Sequence, residues 1–151
     1  MYNTSMRIVG NSFIAEDMMQ EAFIDCFRKI NQYDFKSTFG AWLKRIVVNK
    51  SIDHINRAGM VTEKLNELHE ESREDDELNF PCGVEEIKEA MNGLAKQYKI
   101  IFSLYLIEGY DHEEIAEILR ISSSTSRSQL SRAKLKVREE ILKKEMKYDL
   151  G

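Results

Sequence analysis

Residues 111–122 read Asp-His-Glu-Glu-Ile-Ala-Glu-Ile-Leu-Arg-Ile-Ser, and a polar, basic stretch follows them. Asp111 is a favourable N-cap, and Glu114 three residues later completes a capping-box pattern that fixes where a helix begins. Ile115, Ala116, Ile118 and Leu119 give that helix an apolar side, small Ala116 stands where a second helix crosses closely, and Ile121 plugs the turn. Ser122 then caps a second helix, predicted over residues 123–139. Cap, turn and second cap are all specified within one short span, which is a helix-turn-helix pattern. Two residues fit it imperfectly. Arg120 stands where such turns favour glycine for its freedom at positive φ, and Ser126 where a branched apolar residue packs better.

Along the second helix, Ser124, Arg127, Ser128, Ser131 and Arg132 recur at steps of three and four, which places them on one stripe. Leu130, Ala133 and Val137 fall on another side and face the first helix. Residues 120–138 carry six cations, Arg120, Arg127, Arg132, Lys134, Lys136 and Arg138, and no acid, in a chain of net charge −4. Such a local reversal of charge suits a phosphate backbone. In a helix-turn-helix the second helix enters the major groove, where Arg bonds guanine bidentately and Ser bonds several base edges. Ser124, Arg127, Ser128, Ser131, Arg132 and Lys134 are therefore the candidate DNA-binding residues. A solvated basic face is the competing reading, and the coincidence of cap, turn and cations favours DNA.

With 151 residues, 42% of them hydrophobic, the chain has material for modest cores in one or two domains. No apolar run approaches the roughly 20 residues of a membrane span, and the N-terminus lacks a signal-peptide pattern, so no membrane insertion and a cytoplasmic location are expected. Cys26 and Cys82 are isolated, and His54, His69 and His112 form no ligand spacing with them. Neither a metal site nor a cofactor is expected, and both cysteines read as packing or loop residues.

From the N-terminus, residues 1–9 read as a short helix stopped by Gly10-Asn11. Residues 15–30 form a clearer one, with Ala15, Met18, Met19, Ala22, Phe23, Cys26, Phe27 and Ile30 as its core-facing stripe. Asp17, Gln20, Glu21 and Arg28 occupy the far side, either as a binding surface or as a solvated face. Tyr33-Asp34-Phe35-Lys36 forms a loop, Ser37 or Thr38 caps the next helix, and that helix is predicted over residues 39–57 with Phe39, Leu43, Ile46 and Val47 buried. Its second stripe holds Trp42, Arg45, Asn49, Asp53 and Asn56, with Lys36, Lys44, Lys50 and Arg57 nearby. Two readings of that stripe stand side by side. Rings beside cations bind single-stranded DNA, because rings stack on exposed bases while cations follow phosphates; alternatively Trp42 is core and Arg45 pairs with Asp53.

Residues 62–79 carry eight acids against two bases, a composition that favours a flexible linker. Pro81-Cys82-Gly83 ends it, and Val84, Ile87, Met91 and Leu94 begin a new amphipathic helix. Residues 98–107 supply another, with Tyr98, Ile101, Phe102 and Tyr105 inward and Gly109 at its end. No strand pattern or internal repeat is present. The expected fold is all-α, with two small helical domains, residues 1–60 and 84–151, joined by an acidic linker over 61–83.

Three ordered motifs carry a family resemblance. Ala15-Glu16-Asp17-Met18-Met19-Gln20-Glu21-Ala22-Phe23 resembles the second-region signature of bacterial extracytoplasmic-function sigma factors. Phe39-Gly40-Ala41-Trp42-Leu43-Lys44-Arg45-Ile46-Val47-Val48-Asn49, with Ser51-Ile52-Asp53, resembles their promoter-melting segment. Tyr105-Leu106-Ile107-Glu108-Gly109-Tyr110, with Glu114-Ile115-Ala116 and Ser131-Arg132-Ala133, resembles their fourth region. The resemblance implies that Asp17, Gln20 and Glu21 dock on the clamp helices of the RNA polymerase largest subunit. It implies that the helix bearing Trp42, Arg45, Asn49, Asp53 and Asn56 opens a −10-type element, with Asn49 at a position that holds a flipped base. The fourth region then reads a −35-type element, and the acidic connector threads toward the RNA path. Ala95 stands where the family often has Pro, and the family's first promoter-melting helix has no counterpart before Met1. One fewer helix is therefore expected to cover Met6, Ile8, Val9, Phe13 and the Met19/Phe23/Phe27 stripe.

These readings point to a sigma factor with core RNA polymerase, promoter DNA and an anti-sigma factor as partners, with no small-molecule substrate and no catalytic residues of its own. A helix-turn-helix regulator of duplex DNA is the first alternative, and it has no use for the Asp17/Gln20/Glu21 face or the Trp42/Asn49 stripe. A truncated decoy that occupies polymerase or an anti-sigma factor is the second.

Overall fold

Among the described residues, short polar side chains cap the starts of four helices. In the computed structural model, which describes residues 1–59 and 82–150, α1 (Tyr2–Val9) ends at Gly10, whose φ of 71° lets its N–H reach the Met6 carbonyl at 2.9 Å. Asn11 belongs to the next helix: its side-chain oxygen accepts from Phe13 and Ile14 N–H at the start of α2 (Ser12–Arg28). A single 3₁₀ turn (Ile30–Gln32) follows, and Thr38 Oγ1 accepts from Ala41 N–H at 3.2 Å to open α3 (Phe39–Arg57). The chain divides into two compact units, Met1–Glu63 and Lys64–Gly151. The acidic segment at 62–79, and all of the expected linker but Cys82 and Gly83, lie outside the described residues.

In the first unit α1, α2 and α3 each pack on the other two. The core is Ile8, Val9, Ala15, Met18, Ala22, Cys26, Leu43, Val47, Val48, Ile52 and Ile55. Ser5 and Ser51, both wholly buried, are 2.8 Å apart through their hydroxyls, and Ser51 Oγ also donates to the Val47 carbonyl. Small side chains at 5, 15, 22 and 51 let the three helices approach closely. That closeness corrects the expected core face of α2. Ala15, Met18, Ala22 and Cys26 are buried, whereas Met19 is half-buried and Phe23, Phe27 and Ile30 are exposed, Phe27 by 77%. The eight expected residues span too wide an arc for one contact. The small-residue centre packs, and the aromatics fall off its edge. Ile8 and Val9 are covered, Met6 is half-buried and Phe13 is exposed. On α3 the buried set shifts likewise: Phe39 is exposed and Ile46 half-buried, with Val48, Ser51, Ile52 and Ile55 inside.

In the second unit, α4 (Val84–Asn92) begins where Glu86 accepts from Gly83 N–H, and α5 (Lys96–Phe102) runs into a widened π turn (Ser103–Ile107). Then come α6 (His112–Leu119) and α7 (Ser123–Asp149), the latter packing on α4, α5 and α6. Tyr98 and Tyr105, expected inside, are half-buried, and Ile100 and Leu104 are buried instead. Val84 is 66% exposed and Leu94 lies past the end of α4. Helix α7 runs beyond the expected 139, held by buried Ile141 and by Lys144, whose ammonium is 2.8 Å from Glu89 on α4. Among the described residues every regular element is helical.

Candidate nucleic-acid and polymerase interfaces

Asp111 Oδ1 accepts from Glu114 N–H at 2.8 Å, and Glu114 Oε2 accepts from Asp111 N–H at 3.3 Å, so the reciprocal cap starts α6 as its spacing predicts. At the other end Arg120 takes the left-handed conformation, φ 57° and ψ 46°, and Ile121 N–H returns to the Ala116 carbonyl. Ser122 Oγ accepts from Thr125 N–H at 3.1 Å and begins α7. Leu130, Ala133 and Val137 are buried against the rest of the unit, as is Ser126. Ser126 is no packing defect: its Oγ lies 2.9 Å from His112 Nδ1, and the His112 ring stacks on Tyr105 at 4.7 Å between centroids. The wall behind the recognition helix is thus partly polar.

Ser124, Ser128 and Ser131 lie opposite that buried side, with Arg127 on one flank and Arg132 on the other. Ser124 and Arg127 are exposed; Ser128, Ser131, Arg132 and Lys134 are half-buried. Ser128 Oγ donates to the Ser124 carbonyl at 3.0 Å, which leaves its lone pairs outward. The Lys134 ammonium stands 5.9 Å from the Tyr105 ring centre, so part of its charge is directed at the protein's own π face. Arg127 is the cation of this set most open to a groove.

On α3, Asn49 is exposed, and Trp42, Arg45, Asp53 and Asn56 are half-buried. Trp42 lies in an aromatic column outside the helical core. Its ring centre is 5.8 Å from Phe39 and 5.3 Å from Tyr33, and Tyr33 is 4.6 Å from Phe35. The sequence reading gives Tyr33 and Phe35 to a loop and Phe39 to the core, and not to this column, although four rings within ten positions are a signal. Asp34 shapes the loop. It accepts from Lys36 N–H at 3.1 Å and pairs with the Lys36 ammonium at 3.4 Å, and the backbone bond above all holds its carboxyl below the usual range.

On α2, Asp17, Gln20 and Glu21 are exposed, opposite the Ala15/Ala22/Cys26 stripe. Phe13 and Ile24 share that outward side and Phe27 borders it, so the face is apolar as well as acidic. Glu21 Oε2 lies 4.0 Å from the Lys50 ammonium, which sits 2.7 Å from Asp25 on the same helix. Asp17 and Gln20 are the cleaner polar members of the face.

Comparison with known proteins places both units. The Sigma-70 region 2 family model matches residues 1–60, and the Sigma-70, region 4 model matches residues 84–137. The ECF RNA polymerase sigma factor SigE of Mycolicibacterium smegmatis is 28% identical over 148 residues, covering 94% of this chain and 57% of that protein. SigW of Bacillus subtilis is 29% identical over 156 residues, covering 93% of this chain and 82% of that one. The chain thus spans little more than half the length of the first relative and most of the second. Among solved structures, the sigma factor RpoE of Bartonella quintana, crystallised with the anti-sigma factor NepR, matches with a TM-score of 0.62 at 20% identity, over 94% of this chain and 89% of that one, a likeness of fold. The two family matches together cover most of the chain, in the order region 2 then region 4, and the chain belongs to the sigma-70 family of RNA polymerase sigma factors, in its ECF group.

Proposed function

We propose that this chain binds core RNA polymerase in the cytoplasm, brings it to a set of promoters, and divides the work between its two units. The outward stripe of α7, with Ser124, Arg127, Ser128, Ser131, Arg132 and Lys134, reads an upstream −35-type element in the major groove. The α3 stripe of Trp42, Arg45, Asn49, Asp53 and Asn56 serves strand opening at a −10-type element, with Asn49 taking up an extruded base. Extrusion costs a few kcal/mol, so stacking and hydrogen bonding must offset it. Asp17, Gln20 and Glu21 dock on polymerase, and an anti-sigma factor is a further partner. The polymerase performs the chemistry. The observation that carries this reading is the pairing, on one chain, of an outward polar stripe on α7, open at Ser124 and Arg127, with an exposed Asn49 on the helix that also bears Trp42 of the aromatic column.

Run-off transcription with purified core polymerase on genomic fragments tests it. Specific transcripts that depend on this chain are expected, and Asn49→Ala should lose activity on duplex promoters but recover on a pre-opened bubble. Duplex binding without any stimulated transcription would assign the chain to repression or activation instead.

A further inference from the structure

Helix α7 runs on to Asp149, past the fourth-region match that ends at residue 137, and one side of its last turns is apolar yet unused by the packing of the unit. The other side is held inward. Ile141 is buried, and the Lys144 ammonium is 2.8 Å from Glu89 on α4, so the helix cannot turn about its axis. Opposite them stand Leu135, Leu142 and Met146, at steps of seven and four and hence on one stripe, 55%, 53% and 65% exposed. This stripe continues the line of Ser124, Ser128 and Ser131, so the outward face of α7 changes along its length from hydroxyl to aliphatic. Long apolar side chains aligned at this spacing on a fixed helix form a helix-pairing seam.

We propose that the stripe is the contact between two copies of this chain, their α7 helices antiparallel about a two-fold axis near Leu142. The charges beside the stripe select both the occupant and its direction. When identical helices meet antiparallel, each edge of the seam faces the same edge of the other copy. With Arg138 level with Glu145 of the second copy, Lys134 comes level with its Asp149, and all four lie on one edge. On the other edge Glu139 comes within one residue of level with Lys143 of the second copy. The two-fold axis doubles every pair. Leu142 then meets its own counterpart at the axis, and Leu135 and Met146 close the seam on either side. The parallel arrangement instead brings Arg138 against Lys143, which repels. Lys136 and Lys147 also come level in the antiparallel pair, but they stand about 100° or more from the stripe and point to water. Within one copy Glu139 lies 3.9 Å from Lys136, and Lys143 lies 3.7 Å from Glu140. Loose exposed pairs of this kind re-form across a seam at little cost. About four turns of helix make a small interface, so the dimer is weak, with Kd on the order of 10–100 μM.

Sedimentation velocity of the full chain, from about 1 to about 300 μM, tests this by showing the mass rise from one chain toward two. Leu142→Lys, at an exposed position, should leave the melting temperature of dilute protein unchanged and weaken the dimer at least about tenfold. Arg138→Glu and Glu145→Arg should each weaken it about 3- to 10-fold, because the two-fold axis removes two pairs at once. The two changes together should restore the native affinity. Positions 138 and 145 are about 10 Å apart along one helix, so restoration reports a contact between copies and not within one. If Arg138→Glu lowers the melting temperature, Leu142→Lys and Glu145→Arg, both at exposed positions, carry the test. A chain that stays monomeric to about 300 μM overturns the proposal, as does self-association that Leu142→Lys leaves intact. A folded double-reversal variant that regains no affinity overturns it too. Loss of co-purification with core polymerase in Leu142→Lys, with a native chain that stays monomeric, overturns it and gives the stripe to polymerase.

Discussion

His112 Nδ1 lies 2.9 Å from Ser126 Oγ across the helix-turn-helix, and it joins the first residue of α6 to a wholly buried position on the recognition helix. Removing the hydroxyl leaves a half-buried imidazole nitrogen without this partner. Ser126→Ala should lower unfolding free energy by about 1 kcal/mol, and His112→Ala by more because the Tyr105 stack goes too. Urea titration of the two single variants and the double variant checks this, with an interaction energy of at least about 0.5 kcal/mol expected.

Arg120 closes α6 at φ 57°, a conformation that costs a non-glycine residue about 1–2 kcal/mol. Arg120→Gly recovers part of that and gives some back as unfolded-chain entropy. A net gain of about 0.5–1 kcal/mol is expected, visible as a higher thermal midpoint of residues 82–150 by hydrogen exchange or calorimetry of the full chain.

Arg127 is exposed on the outward side of α7, whereas Lys134 leans toward Tyr105. Arg127→Ala should therefore cost promoter binding more than Lys134→Ala. If Arg127 bonds a base, affinity falls by about 1–3 kcal/mol with relaxed preference at one position; if it bonds a phosphate, all sequences weaken together and the salt slope drops by about one. Competition binding on a panel of point-mutated promoters distinguishes these outcomes.

The outward side of α2 mixes acids with apolar residues, so polymerase docking should need both kinds. Asp17→Lys should abolish co-purification with core polymerase without loss of helicity, as like charges meet in the interface. Ile24→Asp should do the same through the apolar half of the face, although Ile24 was not among the residues expected to dock. Normal assembly by both variants would return this face to solvation.

Asp25 and Lys50 tie α2 to α3 at 2.7 Å, and the hydrogen bond from Lys50 holds the Asp25 carboxyl below its ordinary 3.8. A depressed folded-state value means the pair stabilises fully above the unfolded value and fades as pH falls through the folded one. The stability gap between the native chain and Lys50→Met should be largest near neutrality, about 1 kcal/mol or less for a partly exposed pair, and should close below about pH 4. Unfolding curves from pH 7 down to pH 3 measure it.

The starts of α3, α6 and α7 were legible because a cap is a bond between residues three apart, whereas Asn11, read as a stop, caps the start of α2. Asp111 with Glu114, Ser122 with Thr125 and Thr38 with Ala41 can be read from spacing alone, and α3 begins and ends at the predicted residues. The buried arc of α2 was less legible. Its apolar residues cover more than half the helix circumference, and periodicity does not say that the alanine edge packs while Phe23 and Phe27 stay outside. The end of α7 was missed because residues 140–149 are charged and carry no stop signal, while what holds them, Glu89, lies far away in sequence. For the sites, steps of three and four placed Asn49 and Arg127 on exposed faces. The His112–Ser126 bond depends on a contact that no spacing encodes.

The π turn at Ser103–Ile107 behaves as a one-residue insertion within an otherwise α-helical run. Five successive residues, Ile100 to Leu104, are buried, more than one face of a regular helix accommodates. The extra residue allows it: α5 presents its side chains to α7, and past the widened turn the chain presents a different face to α6. Deleting one residue there would restore a regular helix and turn everything beyond it by about 100°. Tyr105 would swing away from His112, so the length of this segment, and not its composition alone, sets how α6 and α7 lie against α5.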